Sequence, residues 1–342
     1  MSTVRKSARV VGGMLFAVLL TVYVMSHHYL RQRQLAKPKL RRTNTTQENK
    51  QLLLTALLDD PAGLSRWLGL PEQVFITDHQ QRALSRRDFV VPNVVHYVWM
   101  QGPDDAVLPF WKILGPISVY ENLRPDRMII HGDKRPTGRW FDELFRVIPI
   151  LEYEYYPLVE EVYGLKLGYL NHIADVARID IIHKYGGMYF DMDVFVVRPM
   201  DALRRYDCVV GIETGYDATR GLINAGALVA RPGARFLELW REGYRDYREE
   251  RWLYNSGEVP TVLLRKNPEL VRVSPRIWHD TNGTILNKAN VDLSGFYAYH
   301  MWGHLWKGVS RAKLFHMKPN NFLKYNNTLS TLLKQYYIDR RH

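Results

Sequence analysis

Two aspartates, Asp191 and Asp193, stand in an otherwise apolar segment running from Met188 to Val197. Carboxylates among apolar side chains repel each other and resist burial. A bound divalent cation removes that penalty. Mg²⁺ and Mn²⁺ take oxygen ligands and keep positions open for phosphate oxygens, so the pair points to chemistry on a phosphate-bearing molecule. Read as one strand, the segment puts Tyr189, Asp191 and Asp193 on one face, with the aspartates about 7 Å apart at the backbone. Upstream, Asp175 and Arg178 are three residues apart and share one helical face. Alone, they would form a surface ion pair worth under about 1 kcal/mol. Their helix feeds directly into the aspartate strand, which places them near the same strand end.

The elements that must position these residues are legible. Leu170 to Tyr185 reads as a helix ended by Gly186-Gly187, since glycine takes left-handed backbone at little cost, and Arg198-Pro199 ends the strand that follows. Before them, Val94–Trp99 and Arg127–His131 read as strands, Leu108–Leu123 and Arg139–Val147 as helices, and Ile150–Tyr156 as extended chain. Strands alternating with helices predict an α/β domain with a mostly parallel sheet.

The net charge of +12 is concentrated at one end. Residues 1–42 hold nine Lys or Arg and no Asp or Glu, leaving 47 − 9 = 38 basic against 35 acidic residues elsewhere. The balanced remainder argues against a nucleic-acid partner, which requires a clustered basic excess. The single cysteine, Cys208, excludes an intramolecular disulfide and reads as a buried thiol. Val10–Met25 carries no charge and, extended to Leu30, reads as a signal-anchor transmembrane helix rather than a cleaved signal peptide, because bulky residues follow it. The expected organisation is a cytoplasmic tail (1–9), an anchor (10–30), a stem and N-terminal region (31–90, with 31–50 as the polar, basic stem) and a catalytic domain (91–342). Asn44, Asn282 and Asn326 each open an N-x-Thr triplet, compatible with a lumenal domain.

The run from His172 through Asp175 and Arg178 to Tyr185-Gly186-Gly187-Met188-Tyr189-Phe190-Asp191-Met192-Asp193 resembles the sugar-binding region of DXD-containing glycosyltransferases. These include glycosyltransferase family 32 (α-1,4-galactosyl- and N-acetylglucosaminyltransferases, fungal α-mannosyltransferases) and, more distantly, the clostridial glucosylating toxins. The resemblance covers roughly residues 91–305. It implies a GT-A (Rossmann-like) nucleotide-sugar-binding domain, a retaining glycosyltransferase, and Mn²⁺ (or Mg²⁺) as cofactor. It further implies metal ligation by Asp193, Asp191 and His300, with Asp191 also at the ribose, Asp175 on donor-sugar hydroxyls and Arg178 on diphosphate or sugar. Tyr189 would line the pocket, Trp99 would stack on the base, Asn224 would bond the sugar or acceptor, and Trp302 would touch the diphosphate. His304 and Trp306 repeat the His-x-Trp pattern of His300 and Trp302. Glu213 and Asp217 are the positions from which a carboxylate nucleophile could come. The expected partners are a nucleotide-sugar donor, UDP-linked, a glycan, glycolipid or glycoprotein acceptor, and the membrane; the expected place is the Golgi or ER membrane, single-pass type II, with the domain lumenal. A GDP-mannose donor, a metal-dependent phosphohydrolase and a non-catalytic sugar-binding protein stay open as alternatives.

Overall fold

The computed structural model describes residues 54–77, 88–103, 106–213, 222–280, 283–303 and 314–339. The expected tail, anchor and basic stretch up to residue 50 lie outside these residues, as do Asp217, His304 and Trp306. Among the described residues, no helix is long and apolar enough to cross a membrane.

Residues 47–342 form one compact unit, so the folded body begins well before the expected boundary at residue 91. Its first named helix, α1 (Pro61–Leu68), starts with Asp60 accepting from the Gly63 N–H at 2.9 Å. Leu64, Leu68, Val74, Phe75 and Ile76 are buried, and the Ile76 N–H donates to the Val273 carbonyl at 3.0 Å. This N-terminal region, expected to precede the catalytic domain, is packed into the core, because its leucines have an apolar surface to cover.

The order continues with β1 (Val94–Val98), α2 (Leu114–Leu123, entered through a 3₁₀ turn at Phe110–Ile113), β2 (Arg127–Gly132), α3 (Arg139–Val147) and β3 (Leu151–Tyr155). A small hairpin, β4 (Glu161–Val162) and β5 (Leu165–Lys166), precedes α4 (Leu170–Tyr185). Then come β6 (Gly187–Phe190), β7 (Val194–Val196), β8 (Cys208–Glu213), β9 (Leu222–Ala230), α5 (Arg235–Glu242) and α6 (Val259–Lys266). The last elements are β10 (Arg272–His279), α7 (Thr284–Asn287), β11 (Ala298–His300) and α8 (Thr328–Leu333).

The nine-stranded sheet runs β3-β2-β1-β6-β9-β8-β10-β11-β7. Its pairings are parallel except at β6–β9, β8–β9 and β7–β11, so the mixed α/β architecture matches the expectation. One expected element is broken. Chain 188–197 is two strands, β6 and β7, joined by Asp191-Met192-Asp193. Four strands separate β6 from β7 in the sheet. A flat sheet would hold them about 24 Å apart, whereas Phe190 to Val194 can span only about 14 Å. The sheet must therefore curl, and the aspartates sit where its two parts meet.

Two buried histidines lie in the parallel half. His96 Nδ1 stands 2.9 Å from His131 Nε2. Burial lowers His96 to about 3, with His131 adding to the effect, and burial then Arg127 lower His131 to about 4. Both are neutral when folded, while the unfolded chain takes up protons below about 6.5. Stability is thus unaffected above that pH and falls as pH drops towards these folded values. We expect thermal unfolding at pH 5 to show a loss of about 2 kcal/mol per histidine relative to pH 7.5. The His96→Gln/His131→Gln variant should show a shallower pH slope; an unchanged slope would place the acid sensitivity elsewhere.

Candidate active site

Asp191 and Asp193 come together through a turn rather than along a strand. The Val194 N–H donates to the Asp191 carbonyl at 2.9 Å, and aspartate favours the first position of such a turn. Helix α2 backs it. A Cβ on Gly115 would lie 2.5 Å from the Met192 carbonyl oxygen and 2.8 Å from that of Val194, so only glycine lets the helix approach. The Asp191 N–H donates to the Gly226 carbonyl at 2.8 Å, and the Met301 N–H to the Asp193 carbonyl at 3.0 Å. The Gly303 N–H reaches Asp193 Oδ2 at 3.3 Å. The turn is thereby tied to β9 and to the end of β11.

β11 delivers the third group. His300 Nε2 lies 3.4 Å from Asp193 Oδ1 and 3.7 Å from Asp191 Oδ2. One ligand atom from each of the three residues falls within 4.8 Å of the others. Two carboxylates and one imidazole suit a divalent cation and leave it open positions. The His300 ring stacks on Trp302, with centroids 4.9 Å apart and planes at 25°. Trp302 holds that place with φ of 49°, a left-handed backbone costly for a bulky residue. Behind, His300 Nδ1 faces His279 Nδ1 at 2.9 Å. His279 is fully buried, and desolvation, then His300, holds it well below the ordinary histidine range. With a neutral His279 accepting a hydrogen bond from His300 Nδ1–H, the His300 Nε2 lone pair is left towards the carboxylates.

Arg178 is the electrostatic hub. Its guanidinium lies 3.0 Å from Asp175 Oδ1 and 3.2 Å from Asp191 Oδ1, and it donates to the Ala225 carbonyl at 3.3 Å. Desolvation opposes its charge, but Asp191, Tyr189 and Asp175 together outweigh it and hold the guanidinium protonated. Burial raises Asp175 above the usual carboxylate range, and Arg178 pulls it back. The Tyr189 hydroxyl donates to Asp191 Oδ1 at 2.6 Å while its ring receives Arg178 at 4.7 Å. Burial raises the Tyr189 hydroxyl well above its ordinary range, which keeps it a donor.

Two cavities meet at Arg178 and Asp191. One, of about 180 Å³, is lined by Trp99, Met100, Lys112, Asn171 and Tyr189. The other, about 50 Å³, is lined by Asp175, Asn224, Trp252, Ser256, His300 and Trp302. Trp99, Asp175, Arg178, Tyr189, Asp191, Asp193, Asn224, His300 and Trp302 each border one of them. Asn224 is already engaged, donating to Glu213 Oε2 at 3.0 Å and accepting from the Gly226 N–H at 2.7 Å. Glu213 is buried and lines neither cavity; burial raises its carboxyl, against the pull of Asn224. A larger cleft of about 740 Å³, bordered by Asn93, Arg124 and Arg204, lies beside the start of β1 and brings together no comparable set of ligand groups among the described residues.

Three residues at the site, Lys112, His279 and Trp252, were not singled out from the sequence. Lys112 Nζ stands 3.9 Å from Asp193 Oδ1 and 5.9 Å from the Trp99 ring centroid. His279 backs His300, and Trp252 closes the smaller cavity. Nothing in their local sequence marks them; only long-range packing brings them in.

Residues 117–210 match the model of a glycosyltransferase sugar-binding region containing a DXD motif. The chain is 28% identical over 271 residues to glucan organizing enzyme 1 of Cryptococcus neoformans, covering 73% of this chain and 72% of that one. It is 26% identical over 122 residues to inositol phosphoceramide mannosyltransferase 3 of Schizosaccharomyces pombe, covering 36% and 30% respectively. Among solved structures, it is similar to the galactosyltransferase LgtC in complex with donor and acceptor sugar analogs. That match has a TM-score of 0.40 at 13% identity, over 67% of this chain and 98% of that one.

Proposed function

We propose that this chain, a DXD-containing glycosyltransferase, is a GT-A enzyme that moves a hexose or N-acetylhexosamine from a UDP-sugar to a hydroxyl acceptor. GDP-mannose is the rival donor, favoured by the mannosyltransferase relative. The observation that carries the reading is the convergence of Asp191, Asp193 and His300 within 4.8 Å, beside a cavity walled by Trp99 and Lys112. A divalent cation held there, Mn²⁺ or Mg²⁺, supplies charge neutralisation for the departing nucleoside diphosphate. Trp99 offers its face to the base. Lys112 and the positive end of α4, where Leu170 and Asn171 border the cavity, favour the diphosphate. Asp175 and Asn224 border the smaller cavity, the side of the site assigned to the transferred sugar.

The carboxylates bordering the cavities are Asp175, Asp191 and Asp193 among the described residues, and each has a cationic or histidine neighbour. Glu213 lies off the cavity walls. Among the described residues this supports retention by front-face attack over a covalent intermediate; a glycosyl-enzyme trapped on Glu213, Asp217 or Asp175 contradicts it. The N-terminal run at 10–30 is proposed as a type II anchor in the Golgi or ER membrane, with this domain lumenal. Protease protection in microsomes tests that placement.

A screen of UDP- and GDP-sugars, read by released nucleotide with and without Mn²⁺, tests the function. Turnover of simple phosphate esters instead supports a phosphohydrolase, and binding without turnover a sugar-binding protein. The site also predicts a steric effect. A Cβ on Gly226 would lie 2.5 Å from His300 Nδ1 and 3.0 Å from Asp191 Oδ2. His300 is hemmed in by Trp302 and His279, so neither neighbour yields cheaply. We expect Gly226→Ala to weaken Mn²⁺ binding, measured by calorimetry, about tenfold or more, with a stability loss of about 1–3 kcal/mol. Unchanged affinity would show that the pocket adapts.

A further inference from the structure

The smaller cavity has the DXD turn and His300 on one wall and Trp252 with Ser256 on another. Trp252 is 37% exposed, and Tyr169, beside it, 47%. Isolated exposed aromatics are ordinary, but these two are joined. Their rings meet edge-on with centroids 5.6 Å apart. Beneath Trp252 lies His172, tilted, at 4.9 Å. His172 is pinned in turn, its Nδ1 lying 2.7 Å from the Tyr247 hydroxyl.

The segment carrying Trp252 is fixed from below. Tyr254–Glu258 is a π-helical turn, a widened form that recurs at functional sites. Its Asn255 is buried, and its carbonyl accepts from Trp240 Nε1 at 2.8 Å. The Asn255 side chain accepts from the Arg248 N–H and donates to the Gly243 and Asp246 carbonyls, each at 3.1 Å. The aromatic surface is thus held in place before any ligand arrives, which lowers the cost of binding. The nearby cations are already spoken for: Arg248 pairs with Asp246, and Arg251 with Glu258. The rim is charge-compensated and suits a neutral ligand better than an anion.

We infer that Trp252, flanked by Tyr169, is the acceptor platform: a neutral six-membered polyol ring, pyranose or cyclitol, lies with its apolar C–H face on the Trp252 ring. Polarised C–H groups meet the negative face of the indole there, and a hydroxyl of the acceptor points into the cavity that holds the transferred sugar. The bond formed joins that hydroxyl oxygen to the anomeric carbon. The bond broken joins the anomeric carbon to the nucleotide's phosphate oxygen, which leaves as nucleoside diphosphate and takes up the hydroxyl proton. This assignment rests on the glycosyltransferase reading.

The test uses the full chain with its preferred donor and three probe groups: methyl hexopyranosides, myo-inositol and hexose 6-phosphates. Released nucleotide measures total turnover, and labelled product separates transfer from hydrolysis of the donor by water. Trp252→Ala should raise the KM of the neutral ring acceptor about 30-fold, a change several times larger than any in donor hydrolysis, with Trp252→Phe recovering most of it. Pyranosides and inositol identify which ring source is used. Three results overturn the platform: an unchanged acceptor KM in Trp252→Ala, an equal fall in hydrolysis and transfer, or acceptance of the hexose 6-phosphates alone. A wild-type enzyme that hydrolyses its donor but transfers to no neutral ring also overturns it. A wild-type chain that turns over no nucleotide sugar instead removes the reading beneath it.

Discussion

Asp193→Ala is expected to lower Mn²⁺-dependent nucleotide release by about three orders of magnitude, or ~4 kcal/mol of transition-state stabilisation. The size follows from position. Asp193 is nearly buried, with Oδ1 facing His300 Nε2 at 3.4 Å and Lys112 Nζ at 3.9 Å. Its removal leaves the proposed cation with one carboxylate and one imidazole, and leaves Lys112 facing a void. The same aspartate also has a structural duty, because Oδ2 accepts from the Gly303 N–H at 3.3 Å. Asp193→Asn separates the two roles. The amide can keep that hydrogen bond and the side-chain volume but not the negative charge. Expected is an asparagine variant with near wild-type thermal unfolding and turnover as low as the alanine variant. Near-normal turnover in Asp193→Asn at saturating Mn²⁺ would sink the ligand assignment.

Arg178→Met is expected to be the most destabilising change at the site. The methylene volume is kept, but Asp175 and Asp191 lose their shared cation. Breaking a buried ion pair from one side costs about 3–5 kcal/mol, because the remaining charge is uncompensated. For a domain of this size that lowers Tm by about 5–8 °C. Asp175 is already raised by burial and held down by Arg178, so it should protonate more readily in the variant. Adding Asp175→Asn should return part of the lost Tm without returning activity, since the Arg178 contact to Asp191 at 3.2 Å remains lost. Recovery of neither, or a single variant as stable as wild type, would show that the hub is not the ion pair described. Arg178→Lys keeps the charge but not the fork that bridges two aspartates and the Ala225 carbonyl, and should fall between.

Much of this was legible because the chain punctuates itself. Gly186-Gly187 and Pro125 end α4 and α2 where expected, and Arg139–Val147 forms the predicted helix. The site residues were recognisable because α4 and β6 are adjacent in sequence, so their spacing carries the geometry. The continuous strand across 188–197 was misread because apolar residues flank the aspartates on both sides, which suits two buried strands as well as one. The turn signal, an aspartate at its first position, was there but looked like a metal ligand alone. Lys112, His279 and Trp252 reach the site from 81, 86 and 59 residues away from Asp193. Such separations leave no periodicity to read, and they are settled only by how the sheet closes.

That closure has a dynamic consequence. Among the described residues, β7 is the sheet's edge strand, paired only with β11 through Val194, Phe195 and Val196. An edge is ordinarily where a sheet opens first. Here three residues tether that edge to β6, well inside the sheet, and the tether is the carboxylate turn itself. Opening the edge therefore distorts the site, and a ligand gripping Asp191, Asp193 and His300 holds the edge shut. Amide hydrogen exchange at Phe195 and Tyr299 should accordingly slow when cation and nucleotide are added, while β3, at the far edge, exchanges as before. The site would then report on itself through the slowest-breathing part of a strand that its position alone would leave loose.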